Sequence, residues 1–258
     1  MPRSIWAVTE DLTRDAFLGG RLHVWQPRKG YRAGVDAVLL AAAVPARAGD
    51  SVLELGCGVG TAALCLAARV RGLTLTGVEL QQSYADLARR NAMENTMDIA
   101  VLTADIAALP DDLRQRQFSH VIMNPPYFDR SAGTAAADAG RDKALGGDTP
   151  LAVWLDVGIR RIAAKGDLVV IQRMERLPDV LGVIGGRLGT IVVCPITGRA
   201  GHAPELFLLR AKQGGRAPFR MTPPLVLHDG AVHTRDAESY TPMIRDVLRN
   251  GAALPIWD

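Results

Sequence analysis

The sequence predicts an α/β protein built on a doubly wound, mostly parallel sheet. Three observations predict it. Short runs rich in Val, Ile and Leu recur from residue 51 onward, and helix-length segments separate them. The first such run passes into Gly56-Cys57-Gly58-Val59-Gly60, a turn of alternating glycines that lets the backbone bend tightly and come close to a ligand. Asn124-Pro125-Pro126-Tyr127 follows directly on the strand-like Ser119-His120-Val121-Ile122-Met123, where two prolines stiffen the exit from a strand.

Taken in order, 15–26 reads as a hairpin turned at Gly19-Gly20. Residues 30–34 are a turn, and 36–44 an Ala/Leu helix that Pro45 ends. A buried strand is expected over 51–55 and a helix over 61–70. A second strand and helix follow over 73–78 and 82–93, a third strand over 99–102 and a fourth over 119–123. Residues 129–150 are rich in Ala, Gly and Asp without an apolar period, and are expected to form a loop beside the site. A helix over 151–164 leads to a fifth strand over 167–171. Two β-rich runs, 190–194 and 205–209, meet across a Gly/His/Pro turn, so an antiparallel edge is expected. A short helix over 241–249 closes the chain. Three parts follow: an N-terminal hairpin/helix extension over 1–47 packing on a cofactor site, a main domain over 48–212, and a C-terminal extension over 213–258 packed on that domain.

Composition narrows the classes. With 258 residues, 48% of them hydrophobic, the chain can bury a full core; only 5% are aromatic, so that core is mostly Ala, Val and Leu. A net charge of +3 allows an anionic partner without demanding one. Cys57, Cys65 and Cys194 are isolated, which fits neither a disulfide framework nor a zinc site. The five histidines have no metal-ligand spacing either. No window has the apolar length of a membrane span, and the simplest setting is a reducing cytoplasm.

The motifs carry the chemistry. The alternating glycines are not the dinucleotide fingerprint, whose last glycine would fall at Thr61. Glu54, ahead of the turn, would repel a pyrophosphate and attract a cation. That disfavours a nicotinamide oxidoreductase and suits S-adenosylmethionine, which carries a sulfonium and an ammonium group and no phosphate. Glu79 closes the second strand, where a carboxylate can accept both ribose hydroxyls. Asp105, after the third strand, is placed to reach an adenine amino group; a cap or turn former is the alternative. Cys57 reads as a small filler. Asn124 offers a side-chain acceptor, Pro125 a backbone carbonyl, and Tyr127 a flat face for stacking; together these suit a planar NH2 group. A plain proline turn is the alternative.

In this order, Glu54-x-Gly56-x-Gly58-x-Gly60, Glu79, Asp105 and Asn124-Pro125-Pro126-Tyr127 resemble the class I S-adenosylmethionine-dependent methyltransferases that modify amino nitrogens, over about 30–194. Asp15-Ala16-Phe17-Leu18-Gly19-Gly20-Arg21-Leu22, Trp25-Gln26-Pro27 and the run from Gly30-Tyr31-Arg32-Ala33-Gly34-Val35-Asp36 to Leu40 are similar to the bacterial tRNA(Val) adenine-N6 methyltransferase family. The resemblance implies the class I methyltransferase sheet, with residues 48–212 binding S-adenosylmethionine. It implies a cofactor set of Arg32, Gly34, Asp36, Glu54, Gly56, Gly58, Gly60, Glu79, Leu80, Asp105, Ile106 and Asn124, with Gly34 and Asp36 closing over the methionine end. It also implies a catalytic set of Asn124, Pro125, Pro126 and Tyr127, and tRNA as the partner. Guanine-N2 rRNA, DNA adenine-N6 and protein glutamine-N5 enzymes share the tetrapeptide or a near variant. A non-catalytic RNA-binding protein on the same fold is the remote alternative.

On this reading Asn124 and the Pro125 carbonyl each accept one N–H of the adenine amino group and aim its lone pair at the sulfonium methyl. Tyr127 stacks on the unstacked base, and Phe128 can extend that platform. Arg28, Lys29 and Arg32, with Arg141 and Lys143, are the expected phosphate contacts; a solvated face is the alternative for any such group. Arg160 and Arg161 are expected on a helix covering the sheet.

Overall fold

The computed structural model describes residues 11–126, 149–230 and 239–257. Its centre is β3 (Ser51–Leu55), a run whose last four residues are buried. On one side β3 pairs in parallel with β4 (Thr74–Glu79), and β4 with β5 (Ile99–Thr103). On the other it pairs with β6 (Phe118–Met123), and β6 with β7 (Ile162–Arg173), again in parallel. Strand order thus reverses at β3, and in such sheets ligands bind where the carboxyl ends of the strands part. Two antiparallel strands, β8 (Gly189–Arg199) and β9 (Leu206–Lys212), complete the expected edge, with β9 between β7 and β8. The segment 213–258, expected to pack on the main domain, contributes strands to its sheet. These are β10 (Arg220–Met221) and β11 (Leu225–His228), both parallel to β8.

Seven α-helices cover the sheet among the described residues: α1 (Val35–Ala43), α2 (Thr61–Arg69), α3 (Gln82–Glu94), α4 (Asp111–Gln115), α5 (Leu151–Arg161), α6 (Leu177–Ile184) and α7 (Pro242–Asn250). Successive strand residues face opposite cores. Val52, Ile122, Val169 and Ile171 join the core under α1 and α2. Leu53, Val121, Met123, Leu168 and Val170 join the other, with Trp154 and Leu155 of α5.

Most expected boundaries fall within a residue or two; α4 and α6 were not expected, β8 and β9 run longer than expected, and α5 ends early. The helix expected over 151–164 stops at Arg161, and β7 starts at once. Ile162-Ala163-Ala164 fits a helical stripe, but Ile162 pairs with Phe118 across the sheet. The register then slips between Phe118 and His120. Lys165 takes a left-handed φ of 65°. A Cβ on Gly166 would lie 2.7 Å from the Ser119 carbonyl oxygen. The bulge therefore needs a glycine next to a residue in a costly backbone region.

The N-terminal hairpin, β1 (Leu12–Phe17) and β2 (Leu22–Pro27), turns at Gly19-Gly20 as expected. It is bound to α3 by two asparagines four residues apart, which share one helix face. Asn91 Oδ1 accepts from the Trp25 amide at 2.8 Å, and its Nδ2 donates to the Trp25 and Val59 carbonyls at 3.1 and 2.9 Å. Asn95 Oδ1 accepts from the His23 amide at 3.0 Å and its Nδ2 donates to the His23 carbonyl at 2.8 Å. Two side-chain amides thus serve the free edge of β2 as a neighbouring strand would. Replacing the fully buried Asn91 by Ala leaves three backbone groups without partners. Asn91→Ala should cost about 2 kcal/mol or more, since each orphaned buried group costs about 1–3 kcal/mol. Urea unfolding of the two proteins measures this, and an unchanged midpoint would remove the asparagine ladder from the account.

Candidate active site

β3 ends at Leu55, and the glycine turn lies across the carboxyl end of the sheet. Gly56, Gly58 and Gly60 all have left-handed φ, at 68°, 55° and 85°. A Cβ on Gly56 would sit 2.4 Å from the Trp154 ring, so the indole of α5 fills the space that glycine leaves. Cys57 Sγ packs against β4 where Gly77 has no side chain; a Cβ there would meet the sulfur at 2.8 Å. Burial, with Glu54 and Glu79 adding, pushes the Cys57 thiol well up, so it is a filler and not a nucleophile.

Two buried carboxylates brace this turn. Glu79 ends β4; its Oε2 accepts from the Gly58 amide and its Oε1 from the Gln81 amide, both at 2.9 Å. Burial raises its pKa, against those amide bonds. Glu54 lies within β3, and its Oε2 accepts from the Ala63 amide at 3.0 Å, in the first turn of α2. Burial pushes its carboxyl up to about 8, the Ala63 amide opposing and Glu79 reinforcing the shift.

At the neighbouring strand end stands Asn124. Its Nδ2 donates to the Tyr31 hydroxyl at 3.5 Å, while its Oδ1 is buried and accepts from none of the described residues. The Pro125 carbonyl accepts from Gln172 Nε2 at 3.2 Å, and Gln172 in turn accepts from the Arg173 amide at 2.7 Å. Tyr31 lies over the glycine turn: its ring would be 3.6 Å from a Cβ on Gly58, and its carbonyl accepts from the Tyr84 hydroxyl at 3.2 Å. Burial raises the Tyr31 phenol far above its ordinary range, with Asp36 and Glu54 adding, so the hydroxyl stays neutral.

The fold therefore brings Glu54, Gly56, Gly58, Gly60, Glu79 and Asn124 to one end of the sheet. Gly34 caps the start of α1, with Asp36 in that helix's first turn. Leu80 is 41% exposed beside Glu79, an apolar side chain left uncovered at the rim, while Ile106 is buried in the core. Asp105 Oδ1 caps the short 3₁₀ turn by accepting from the Ala107 amide at 2.8 Å. The Arg32 guanidinium is held by the hairpin: it pairs with Asp15 at 2.5 Å and donates to Thr13 Oγ1 and the Pro27 carbonyl. Arg28 and Lys29 are exposed just before it. Tyr127, Phe128, Arg141 and Lys143 lie outside the described residues, as does the expected loop over 129–150 but for its last two residues. Tyr31, Trp154 and Gln172 also lie here; Tyr31 stands in the Gly30–Asp36 run but was not expected as a site residue, and Trp154 and Gln172 carry no motif. Each comes from a segment far along the chain from the tetrapeptide, and only packing reveals it. Among the described residues no group of three His, Cys, Asp or Glu side chains could hold a metal ion, and no helix is long and apolar enough to cross a membrane.

Comparison with known proteins decides the family. Residues 32–139 match the model of the methyltransferase small domain. A tRNA1(Val) (adenine(37)-N6)-methyltransferase of Shewanella baltica is 31% identical over 174 residues, covering 64% of this chain and 71% of that protein. The chain belongs to this tRNA1(Val) (adenine(37)-N6)-methyltransferase family. Its counterpart in Cronobacter sakazakii is 35% identical over 136 residues, 52% of this chain. The match spans about half of that relative's length, 54%. Among solved structures, a predicted O-methyltransferase of Agrobacterium tumefaciens superposes with a TM-score of 0.68 at 28% identity, over 85% of this chain and 98% of that one. In this family member, then, the glycine turn and Asn124-Pro125-Pro126 sit at the switch point of a class I methyltransferase sheet.

The raised Glu54 carboxyl has a consequence for stability. Its folded pKa, about 8, exceeds the ordinary 4.5. The folded chain thus holds a proton that the unfolded chain releases. Stability from this group is full below the ordinary value and is lost as pH rises through the folded one. The stability of Glu54→Gln relative to the parent should therefore increase from about pH 5 to about pH 8. Urea unfolding across that range reads the gap, and a gap independent of pH would contradict the buried, protonated carboxyl.

Proposed function

We propose that this chain transfers a methyl group from S-adenosylmethionine to the exocyclic N6 of an adenine in tRNA. The observation that carries this reading is the Asn124 Oδ1 beside the glycine turn, buried and without a partner among the described residues. A buried acceptor without a donor costs free energy. An amino group presented by a substrate would meet that acceptor.

The residues also fit the methyl donor. The turn leaves room for close approach, Glu54 brings a buried carboxyl beside it, and Leu80 is open at the rim. S-Adenosylmethionine supplies an electrophilic methyl on a sulfonium. Glu54, Gly56, Gly58, Gly60, Glu79, Leu80, Asp105 and Ile106 would hold it, within a domain spanning 48–212. Arg32, Gly34 and Asp36 would close that site from the 1–47 extension. Glu79, held by backbone amides at the strand end, would accept the ribose hydroxyls. A cation near Glu54 would draw its proton off and restore the carboxylate.

The chain's own contribution to transfer is positional. Asn124 Oδ1 and the Pro125 carbonyl each accept one N–H of the base, and Gln172 holds that carbonyl in place while leaving its second lone pair free. Asn124 is no strong base; it orients the nitrogen lone pair and stabilises charge as it develops. The proton passes to water after transfer. Pro126 stiffens the turn, and Tyr127 would stack on the base. The relatives' names support the choice of tRNA and of adenine, and Arg28, Lys29, Arg141 and Lys143 are proposed to meet its phosphates.

Three experiments test this. Purified protein is incubated with isotope-labelled S-adenosylmethionine and unmodified bulk tRNA, and the digested nucleosides are read by mass spectrometry. Label is expected in N6-methyladenosine; label in N2-methylguanosine would overturn the choice of base. Asn124→Ala should lower kcat by about 100- to 1,000-fold while cofactor affinity stays the same. Full activity in that variant would end the proposed mechanism. Gln172→Leu should lower kcat by about tenfold to a hundredfold with the KM for the cofactor unchanged, because a misaimed acceptor costs orientation and not binding. An unchanged kcat would reduce Gln172 to a packing residue.

A further inference from the structure

At the opposite edge of the sheet, where β3 and β6 begin and β9 ends, lies a second cleft. Its volume is about 640 Å³, within the range of small-molecule sites. Five cationic side chains line it: Arg47, Arg69, Lys165, Arg210 and Lys212. In the sequence they belong to four separate segments, and only the fold gathers them. Two carboxylates, Asp50 and Asp167, face the same cleft.

Among the described residues that line the cleft, the charges do not balance. Asp167, with a side chain 5% exposed, takes both Arg210 Nε at 2.9 Å and Lys212 Nζ at 3.2 Å. One carboxylate cannot neutralise two cations. Asp50 accepts from His120 Nε2 at 3.0 Å and from the Arg47 amide at 2.8 Å. Arg69 Nη2 donates to the Ala41 and Val44 carbonyls at the end of α1 and meets no carboxylate among the described residues; its Nε is buried without a partner. Burial lowers the Arg69 pKa, the mark of a charge held out of water without a counter-ion. Lys165 sits at the left-handed bulge position, and its carbonyl accepts from Lys212 Nζ at 2.9 Å. His120 also lines the cleft, with a side chain 6% exposed. Its Nδ1 takes no hydrogen bond among the described residues and lies 3.6 Å from Asp167 Oδ2. Excess positive charge and a half-buried guanidinium that meets no carboxylate among the described residues share one polar cleft. Buried charges in proteins are ordinarily paired, and a doubly charged oxyanion supplies what is missing.

We propose that this cleft binds a phosphate group, carried either by a small phosphorylated molecule or by an RNA backbone. Arg69, Lys165, Arg210 and Lys212 supply the charge. Asp167 orients two of them, and the wall of Pro255 and Trp257 gives the cleft an apolar side. The site is separate from the glycine turn, which lies past the other ends of the same strands.

The test uses pyrophosphate as probe, with sodium chloride at matched ionic strength as control. Thermal melts and calorimetry should show pyrophosphate raising the Tm of the parent beyond the chloride control. Lys165→Glu and Lys212→Gln should each weaken that binding at least tenfold while still melting cooperatively. Lys165 has no described side-chain partner, so its replacement separates loss of the site from loss of the fold. A second arm measures the affinity of bulk tRNA for the same proteins. A fivefold or greater loss in Lys165→Glu supports the cleft and identifies RNA phosphates as its ligand. Unchanged tRNA affinity with lost pyrophosphate binding supports it and identifies a small molecule. A pyrophosphate response that survives both substitutions, or no response in the parent together with unchanged tRNA affinity in both variants, overturns the proposal.

Discussion

Glu54 and Glu79 hold the glycine turn from opposite sides, and the rest of the site takes its shape from that brace. Glu79 reaches across from β4 to the Gly58 amide, and Glu54 reaches from β3 to the Ala63 amide. The turn has no side chains of its own to pin it, so carboxylates from the strands do so. Burial raises the pKa of both carboxyls, and Glu79 raises that of Glu54 further. That cost is tolerable where a cation is to be received, and it would be wasteful in a purely structural turn.

A second layer of positioning comes from outside the main sheet. The Asn91 and Asn95 ladder fixes β2, and Gln26 continues the line by accepting from the Ala33 amide at 2.7 Å. Arg32 ties the same loop to Asp15. Tyr31 is thereby set between Gly58 and Asn124, with its hydroxyl against the asparagine amide. The N-terminal extension is therefore part of the active end of the molecule. Its attachment through side-chain amides, not a continuous strand ladder, lets a short hairpin be placed accurately on a helix.

The sheet also separates two electrostatic regimes. Its carboxyl end carries buried acids and an unpartnered acceptor, suited to cations and amino groups. Its other end carries surplus cations, suited to oxyanions. The bulge at Lys165 and Gly166 belongs to the second regime: the register slip that ends α5 early is what sets Lys165 beside Lys212.

Much of this was legible in the residues. Alternating glycines, strand–helix alternation and the Asn124 tetrapeptide determine the sheet, its switch point and the polarity of the site, because they act through local backbone geometry. Asp105 illustrates the limit, since a loop aspartate can cap a turn as readily as meet a ligand, and here its Oδ1 does cap one. The end of α5 was not legible, because Ile162-Ala163-Ala164 suits a helix or a strand and the choice falls to the sheet partner Phe118. Nor were Tyr31, Trp154 and Gln172 as site residues, or the gathering of Arg47, Arg69, Lys165, Arg210 and Lys212. Local sequence determines which backbone a segment prefers. Which distant side chains share a space is decided only when burial of both sheet faces brings the segments together.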